Sequence, residues 1–367
     1  MTDAPAPSIK AAAHCGLDLV ALGEVMLRLD PGATRIRSAR RFEVWEGGGE
    51  YNVARALSRC FGLRTGVVTA LADNEIGQLI KGLMLAGGVD LSAVVWAREA
   101  HDGRALRNGL NFTERGFGVR GALGVSDRSG SAAAAMTAAD VDWGRLFALR
   151  GVRWLHTGGI FAAISESASD VVRAAVAAAH ETGTVVSYDL NFRPSLWRDQ
   201  GRALEVNSAL VGQVDVLLGN EEDFTACLGL DVAGVPDDLS TLNPAAYRQM
   251  IELAADRYPN LSLIATTLRS VRSASRNDWG AVAWSRAEGF VEATSRPDLE
   301  ILDRVGGGDS FASGLIYGLM AGMPLREAIE VGAAHGALAM TTPGDASMAD
   351  KEEVLRLAAG GGARVRR

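Results

Sequence analysis

The sequence predicts an α/β fold: a mostly parallel central sheet flanked by helices, with a small β-sheet set beside it. Three observations predict this. Compact apolar runs at 152–157, 184–190, 214–219 and 261–267 alternate with helical stretches such as 167–182 and 243–257. Runs that are apolar throughout are strands buried on both faces, and alternation with helices is the pattern of a covered parallel sheet. The run Asp18–Gly23 is a further buried strand near the start of the chain. Residues 92–128 and 25–45, by contrast, hold short β-like runs broken by glycine and charge, too thin for a core of their own. They predict lid strands inserted within about 25–45 and 92–128.

The elements then follow in order. Residues 1–16 have two prolines within Met1–His14 and no continuous apolar core, so they are expected to be a flexible tail; 17–360 form the α/β domain and 361–367 a basic tail. Gly47-Gly48-Gly49-Glu50-Tyr51-Asn52-Val53-Ala54 opens a helix whose Leu57, Cys60 and Phe61 share a face. A tight capped turn would explain the glycines alone; Glu50 and Asn52 beside them favour a loop that faces a ligand. Asn74–Gly88 carries Ile76, Leu79, Ile80 and Leu83 at helical spacing. Gly116–Gly121 fits G-x-G-x-x-G, but neither a buried strand before it nor an apolar helix after it completes a dinucleotide fingerprint. The histidines 14, 101, 156, 180 and 335 show no metal-binding spacing, and His335 within the apolar stretch 324–341 is expected to be structural.

Composition excludes several function classes. Of the 367 residues 48% are hydrophobic and 22% charged, and the formal charge of −7 offers no basic field for nucleic acid or an anionic membrane. Partners are therefore expected to be small molecules. No apolar run reaches the roughly 18 residues of a membrane span. Cys15, Cys60 and Cys227 are too few and too scattered for a disulfide framework, which suits reduced thiols in a cytoplasm.

The stretch Asp303-Arg304-Val305-Gly306-Gly307-Gly308-Asp309 joins three glycines and an acid to a helix start, marked by Phe311, Leu315, Ile316, Leu319 and Met320 on one face. Free backbone N–H groups and the positive end of the helix dipole suit a phosphate there. Asp309 could simply cap the helix. Beside a bound phosphate, however, a carboxylate is repelled unless it has work to do, such as taking a proton from an attacking hydroxyl. Phosphoryl transfer is the chemistry this implies. Polar clusters at the strand ends, His156–Gly159, Asp189–Arg193 and Asn220–Asp223, are expected on the same edge.

Gly47–Ala54 and Asp303–Gly314 resemble the two signature regions of the ribokinase/PfkB family of carbohydrate kinases, and the resemblance runs from about residue 17 to 357. Within that family, Asp189–Trp197 and Thr341–Asp345 are most similar to the 2-keto-3-deoxygluconate kinases. The resemblance implies a ribokinase-like fold with a β-sheet lid, and ATP and Mg²⁺ as cofactors with room for a monovalent cation. A small sheet exposed on both faces, with open edges, is expected to close over the sugar and to pair with a second subunit in a homodimer or higher oligomer. The resemblance implies Asp309 as base and Gly306, Gly307 and Gly308 as anion hole. Gly48, Gly49, Glu50, Asn52, Arg128, Arg193 and Asp345 would meet the sugar or sugar acid; Asn191, Asn220, Thr267, Gly306 and Gly308 the nucleotide; and Asp223 the metal. The sequence departs from the family where Asp223 replaces a glutamate, and where the polar stretch Ser270–Asp278 replaces a brief glycine-containing turn. Fructokinase, ribokinase and nucleoside kinase activities stay open, as does a non-catalytic sensor.

Overall fold

The computed structural model describes residues 7–362 apart from 101, 198 and 231–243. Among the described residues, strands β1 (Leu17–Leu22), β4 (Thr65–Ala72), β5 (Asp90–Ala97), β8 (Val152–Gly158), β9 (Val185–Asp189), β10 (Val216–Leu218), β11 (Leu263–Ser273), β12 (Arg276–Ser285), β13 (Gly289–Glu292) and β14 (Arg296–Glu300) form one sheet. Its order is β13-β12-β11-β10-β9-β8-β1-β4-β5, with β14 also on β12. The seven strands from β11 to β5 are parallel, and the β12 edge is antiparallel. Alternation along β1 shows why the run is apolar throughout: Val20 and Leu22 enter the core on one face, Leu19 and Ala21 the core on the other. Helices Glu166–Glu181 and Gln200–Val211 cover the first face, and Gly49–Arg59, Gly307–Met320 and Leu325–Ala339 the second. A sheet sealed in this way leaves its carboxyl edge as the place for chemistry.

The second sheet has the order β3 (Glu43–Gly47), β2 (Met26–Asp30), β6 (Leu110–Glu114), β7 (Leu123–Asp127). The lid boundary drawn at 92 is corrected, because β5 belongs to the main sheet. It returns beside β4 through the helix Glu75–Ala86, and Ala93 and Val95 pack on the core. Residues 10–15 are likewise not a free tail. Lys10 Nζ donates to the Thr182 carbonyl at 3.0 Å, Arg153 Nε to the Lys10 carbonyl at 2.7 Å, and Arg64 Nη1 to the Cys15 carbonyl at 2.7 Å. Composition could not show this, since the anchors come from the body of the domain. Residues 1–6 and 363–367 of the two expected tails lie outside the described residues.

The polar stretch Ser270–Asp278 is the end of the β11–β12 hairpin, its strands paired up to Ser273 and Arg276 with Ala274 and Ser275 as the turn, and it touches the glycine-rich loop of the second sheet. Ala274 N–H donates to the Gly118 carbonyl at 2.8 Å, and Gly118 N–H to Ser275 Oγ at 2.9 Å. The stretch with the dinucleotide-like spacing is thus a tight turn, closed by Phe117 and Arg120 at 2.9 Å.

Candidate active site

A cavity of about 590 Å³ lies at the carboxyl edge, between the main sheet and the small one. Its floor is the turn into the helix Gly307–Met320. Gly306 caps that helix with φ 78°, and a Cβ there would stand 1.7 Å from the Asp345 carbonyl oxygen, so only glycine fits. The first hydrogen bond of the turn runs from Ser310 N–H to the Gly306 carbonyl at 2.9 Å. It leaves the N–H groups of Gly307, Gly308 and Asp309 without acceptors, as helix geometry requires. They face the cavity together with the Asp309 carboxylate.

Asp309 Oδ2 accepts from Asn52 Nδ2 at 2.7 Å, while Asn52 Oδ1 is buried without a partner. Asn52 reaches there because Gly48 lets its loop pass the Glu24 carbonyl, where a Cβ would stand 2.2 Å away, before the helix Gly49–Arg59 begins. Asp309 lines the cavity and is half-buried. Desolvation pushes its carboxyl up to about 6, against the bond from Asn52. Asp189, at the end of β9, is pushed to about 7 by burial and then by the charge of Asp309. A deep acid beside unpaired N–H groups is an arrangement for taking a proton from a hydroxyl while an anion is held.

The turn is held from below by Arg28 of β2. Its guanidinium is fully buried and pairs with Asp30 at 2.9 Å, with Asp345 at 2.6 Å and with Asp303. This bolts together the lid strand, the loop before the glycines and the loop that packs on Gly306. Sequence reading missed Arg28, since one arginine between Leu27 and Leu29 carries no local signal.

The sequence matches the pfkB family carbohydrate kinase pattern over residues 17–352. The chain belongs to the pfkB family of carbohydrate kinases. It is an ATP-dependent sugar kinase with the ribokinase-like fold. A curated relative from Haloferax volcanii, 2-dehydro-3-deoxygalactonokinase, is 32% identical over 95% of this chain and 99% of its own length. The 2-dehydro-3-deoxygluconokinase of Bacillus subtilis is 27% identical over 90% of this chain and 91% of its own. The crystal structure of 2-dehydro-3-deoxygluconokinase from Thermotoga maritima superposes with a TM-score of 0.85 and 34% identity, covering 94% of this chain and all of that one.

Against this kinase frame the other expected residues separate. Gly48, Gly49, Asn52, Arg128, Asn191, Arg193, Asn220, Thr267, Gly306–Asp309, Asp223 and Asp345 all line the cavity, and Asn191 does so with a left-handed φ of 36° that non-glycine residues seldom hold. Glu50 does not line it. Its carboxyl is sunk between Gly23 and Gly158, and burial pushes it up to about 8. Asp345 meets the cavity, but its carboxylate is committed to Arg28. Arg128 is bound to Glu24 through Nε at 2.7 Å and Nη2 at 2.5 Å, so the cation foreseen for the sugar acid arrives already paired. Asn220 and Asp223 form a reciprocal cap: Asn220 Oδ1 accepts from Asp223 N–H at 3.0 Å and Asp223 Oδ2 from Asn220 N–H at 2.8 Å. Asp223 Oδ1 also accepts from Phe192 N–H at 2.7 Å, so its first task is to join the β9 and β10 loops.

The donor set nonetheless fits Mg²⁺ accompanying ATP. Asp189, Asp223 and Asp309 all have raised carboxyl pKa values, which a cation would relieve, and oxygen donors suit this ion. Among the described residues no group of His, Cys, Asp and Glu encloses a metal. Mg²⁺ bound largely through water and phosphate needs no such cage. His156 and His335 are structural, each fully buried against a serine hydroxyl, at 2.8 and 2.9 Å. A depression of about 760 Å³ along β5 is lined by Asp90 and Arg150, paired at 2.6 Å, and by Asp140, Asp142 and Arg145.

Proposed function

We propose that the chain transfers the γ-phosphate of ATP to the 6-hydroxyl of a 2-keto-3-deoxy sugar acid, with 2-keto-3-deoxygluconate as substrate and the galactonate epimer as second reading. The observation that carries the mechanism is Asp309, held by Asn52 beside three unpaired N–H groups. Asp309 takes the hydroxyl proton as the oxygen attacks. The N–H groups of Gly307, Gly308 and Asp309 meet the charge that grows on the transferring phosphoryl group, and one such donor is worth roughly 3 kcal/mol. Bound Mg²⁺ would neutralise phosphate charge, and Asp189 and Asp223 would hold it. Asn191, Asn220 and Thr267 flank the nucleotide, and Arg193, at the exposed end of the β9 loop, serves both ligands.

The acid reading is supported by the named relatives and by Arg128 on the lid side with Asn52, Asn111 and Ser126. Nη1 of Arg128 has no partner among the described residues and is left for a substrate carboxylate. The epimer reading is favoured by the Haloferax relative. A panel assay decides. The keto acids are expected to exceed fructose and ribose in kcat/KM by about tenfold or more, the worth of one charge-assisted hydrogen bond. Because Arg128→Ala alone strands the buried Glu24, the informative variant adds Glu24→Gln, and it should raise KM for the keto acid by about one to two decades with KM for ATP little changed. A preference for a neutral sugar ends the acid assignment.

The same reading places the enzyme in the cytoplasm, in keeping with three buried free cysteines and no described helix long and apolar enough to cross a membrane. It also pairs two chains through the small sheet, which leaves Val44, Leu123 and Val125 exposed. Light scattering should give twice the monomer mass or a higher multiple, and a strict monomer would end the pairing.

A further inference from the structure

Two arginines that the family resemblance did not single out line the same cavity. Arg269 follows Thr267 by two residues on β11, so both side chains leave the same face of the strand, and both border the cavity. Arg304 stands two residues before Gly306 and also borders it. Among the described residues Arg269 has no ion-pair or hydrogen-bond partner. Arg304 makes only two weak bonds, from Nη2 to the carbonyls of Ser273 at 3.4 Å and Ala274 at 3.2 Å. Arg128, by contrast, is bound to the Glu24 carboxylate, while Arg193 holds only the carbonyl of its neighbour Phe192.

The two charges repel each other, and burial together with the Arg269 charge lowers the Arg304 pKa. Arg269 is exposed and Arg304 half-buried, and the carboxylate that acts on Arg304, that of Asp303, is committed to Arg28, so an anion placed between the two cations would relieve their repulsion. The hairpin carbonyls aim Arg304 while leaving its Nε and Nη1 free. The unpaired N–H groups of Gly307 and Gly308 follow directly in the chain.

We propose that Arg269 and Arg304 form a clamp for the β- and γ-phosphates of the nucleotide, closing over the glycine cradle from the hairpin side. The position on the Thr267 strand and next to the cradle selects phosphate over the substrate carboxylate, whose candidate cation, Arg128, comes from the lid. The clamp depends on the chain using ATP and not on which sugar it takes.

Calorimetric titration of the full-length protein with ATP, ADP and AMP in the presence of Mg²⁺ and absence of sugar tests it. Arg269→Gln and Arg304→Gln are each expected to weaken ATP binding about tenfold and the double variant about a hundredfold, with AMP affinity unchanged within twofold. Arg304→Lys, which keeps the charge, should recover part of the loss, and the difference from wild type should shrink with salt. Unchanged ATP affinity in the double variant overturns the clamp, as does an equal loss for AMP. A rise in KM for the sugar acid with ATP binding intact also overturns it, and gives the arginines to the carboxylate. A wild type that binds no ATP overturns the clamp, while the kinase reading is decided separately, by turnover in the sugar panel.

Discussion

Asp309→Asn is expected to lower kcat by roughly 10²–10⁴, the usual contribution of a general base, while ATP binding persists. The substitution keeps the size of the side chain, and its amide oxygen can still accept from Asn52, so the loss reports the proton acceptor and not the geometry. The pH profile gives an independent reading. With the Asp309 carboxyl pushed up to about 6, the acceptor is charged only above that pH, so wild-type kcat/KM should rise through about pH 6, and that limb should vanish in the variant. Stability should move the other way. A carboxyl whose folded pKa lies above its unfolded value stabilises the fold when protonated, and this contribution is lost as pH rises from about 4 through about 6. Above pH 7 the wild type therefore carries a cost of roughly 2–3 kcal/mol that the amide does not, and urea unfolding at pH 8 should find the variant more stable. Turnover within a few-fold of wild type would remove Asp309 from the role of base.

Gly306→Ala should damage folding and catalysis together. The added Cβ would lie 1.7 Å from the Asp345 carbonyl oxygen, on a backbone held at φ 78°, so either the 303–309 loop or the 345 loop must move. Strain of this kind costs about 3 kcal/mol or more, and displacing even one donor of an anion hole lowers kcat by about 10²–10³. Gly308→Ala is the internal control, because a Cβ there meets nothing within 4 Å. It should leave the midpoint of thermal unfolding near that of wild type. Equal midpoints and equal turnover for Gly306→Ala and wild type would show that the turn yields easily and that its N–H groups are not held in place for the phosphate.

Much of this site was legible because its signals are local. The glycines, Asp309 and the apolar face of the following helix lie within one short stretch, where the same few residues set φ, the helix start and the charge at its dipole. The strand ends were legible for a similar reason, since an apolar run stops where the sheet does, and polar residues placed there share an edge once the strands are parallel. Even Asn220 and Asp223 carry a local pattern, N-x-x-D before a helix, although resemblance drew attention to the metal and away from the cap.

Contacts made across long separations were not legible. Arg28 meets Asp345 and Asp303 at separations of 317 and 275 residues, and Arg128 meets Glu24 at 104. Periodicity records which face of its own element a residue occupies and nothing about the charge that another element brings against it. Sequence by itself determined five of the seven parallel strands, the glycine cradle and the acid beside it, through backbone geometry and burial. Tertiary structure alone decided which charges are already spent, Arg28 in the floor, Arg128 on Glu24 and Asp223 in a cap, and which have no carboxylate bound to them among the described residues, Arg269 and Arg304. A paired charge in a desolvated site is a strut, whereas a cation on the cavity wall with no carboxylate bound to it can take up the charge of a ligand.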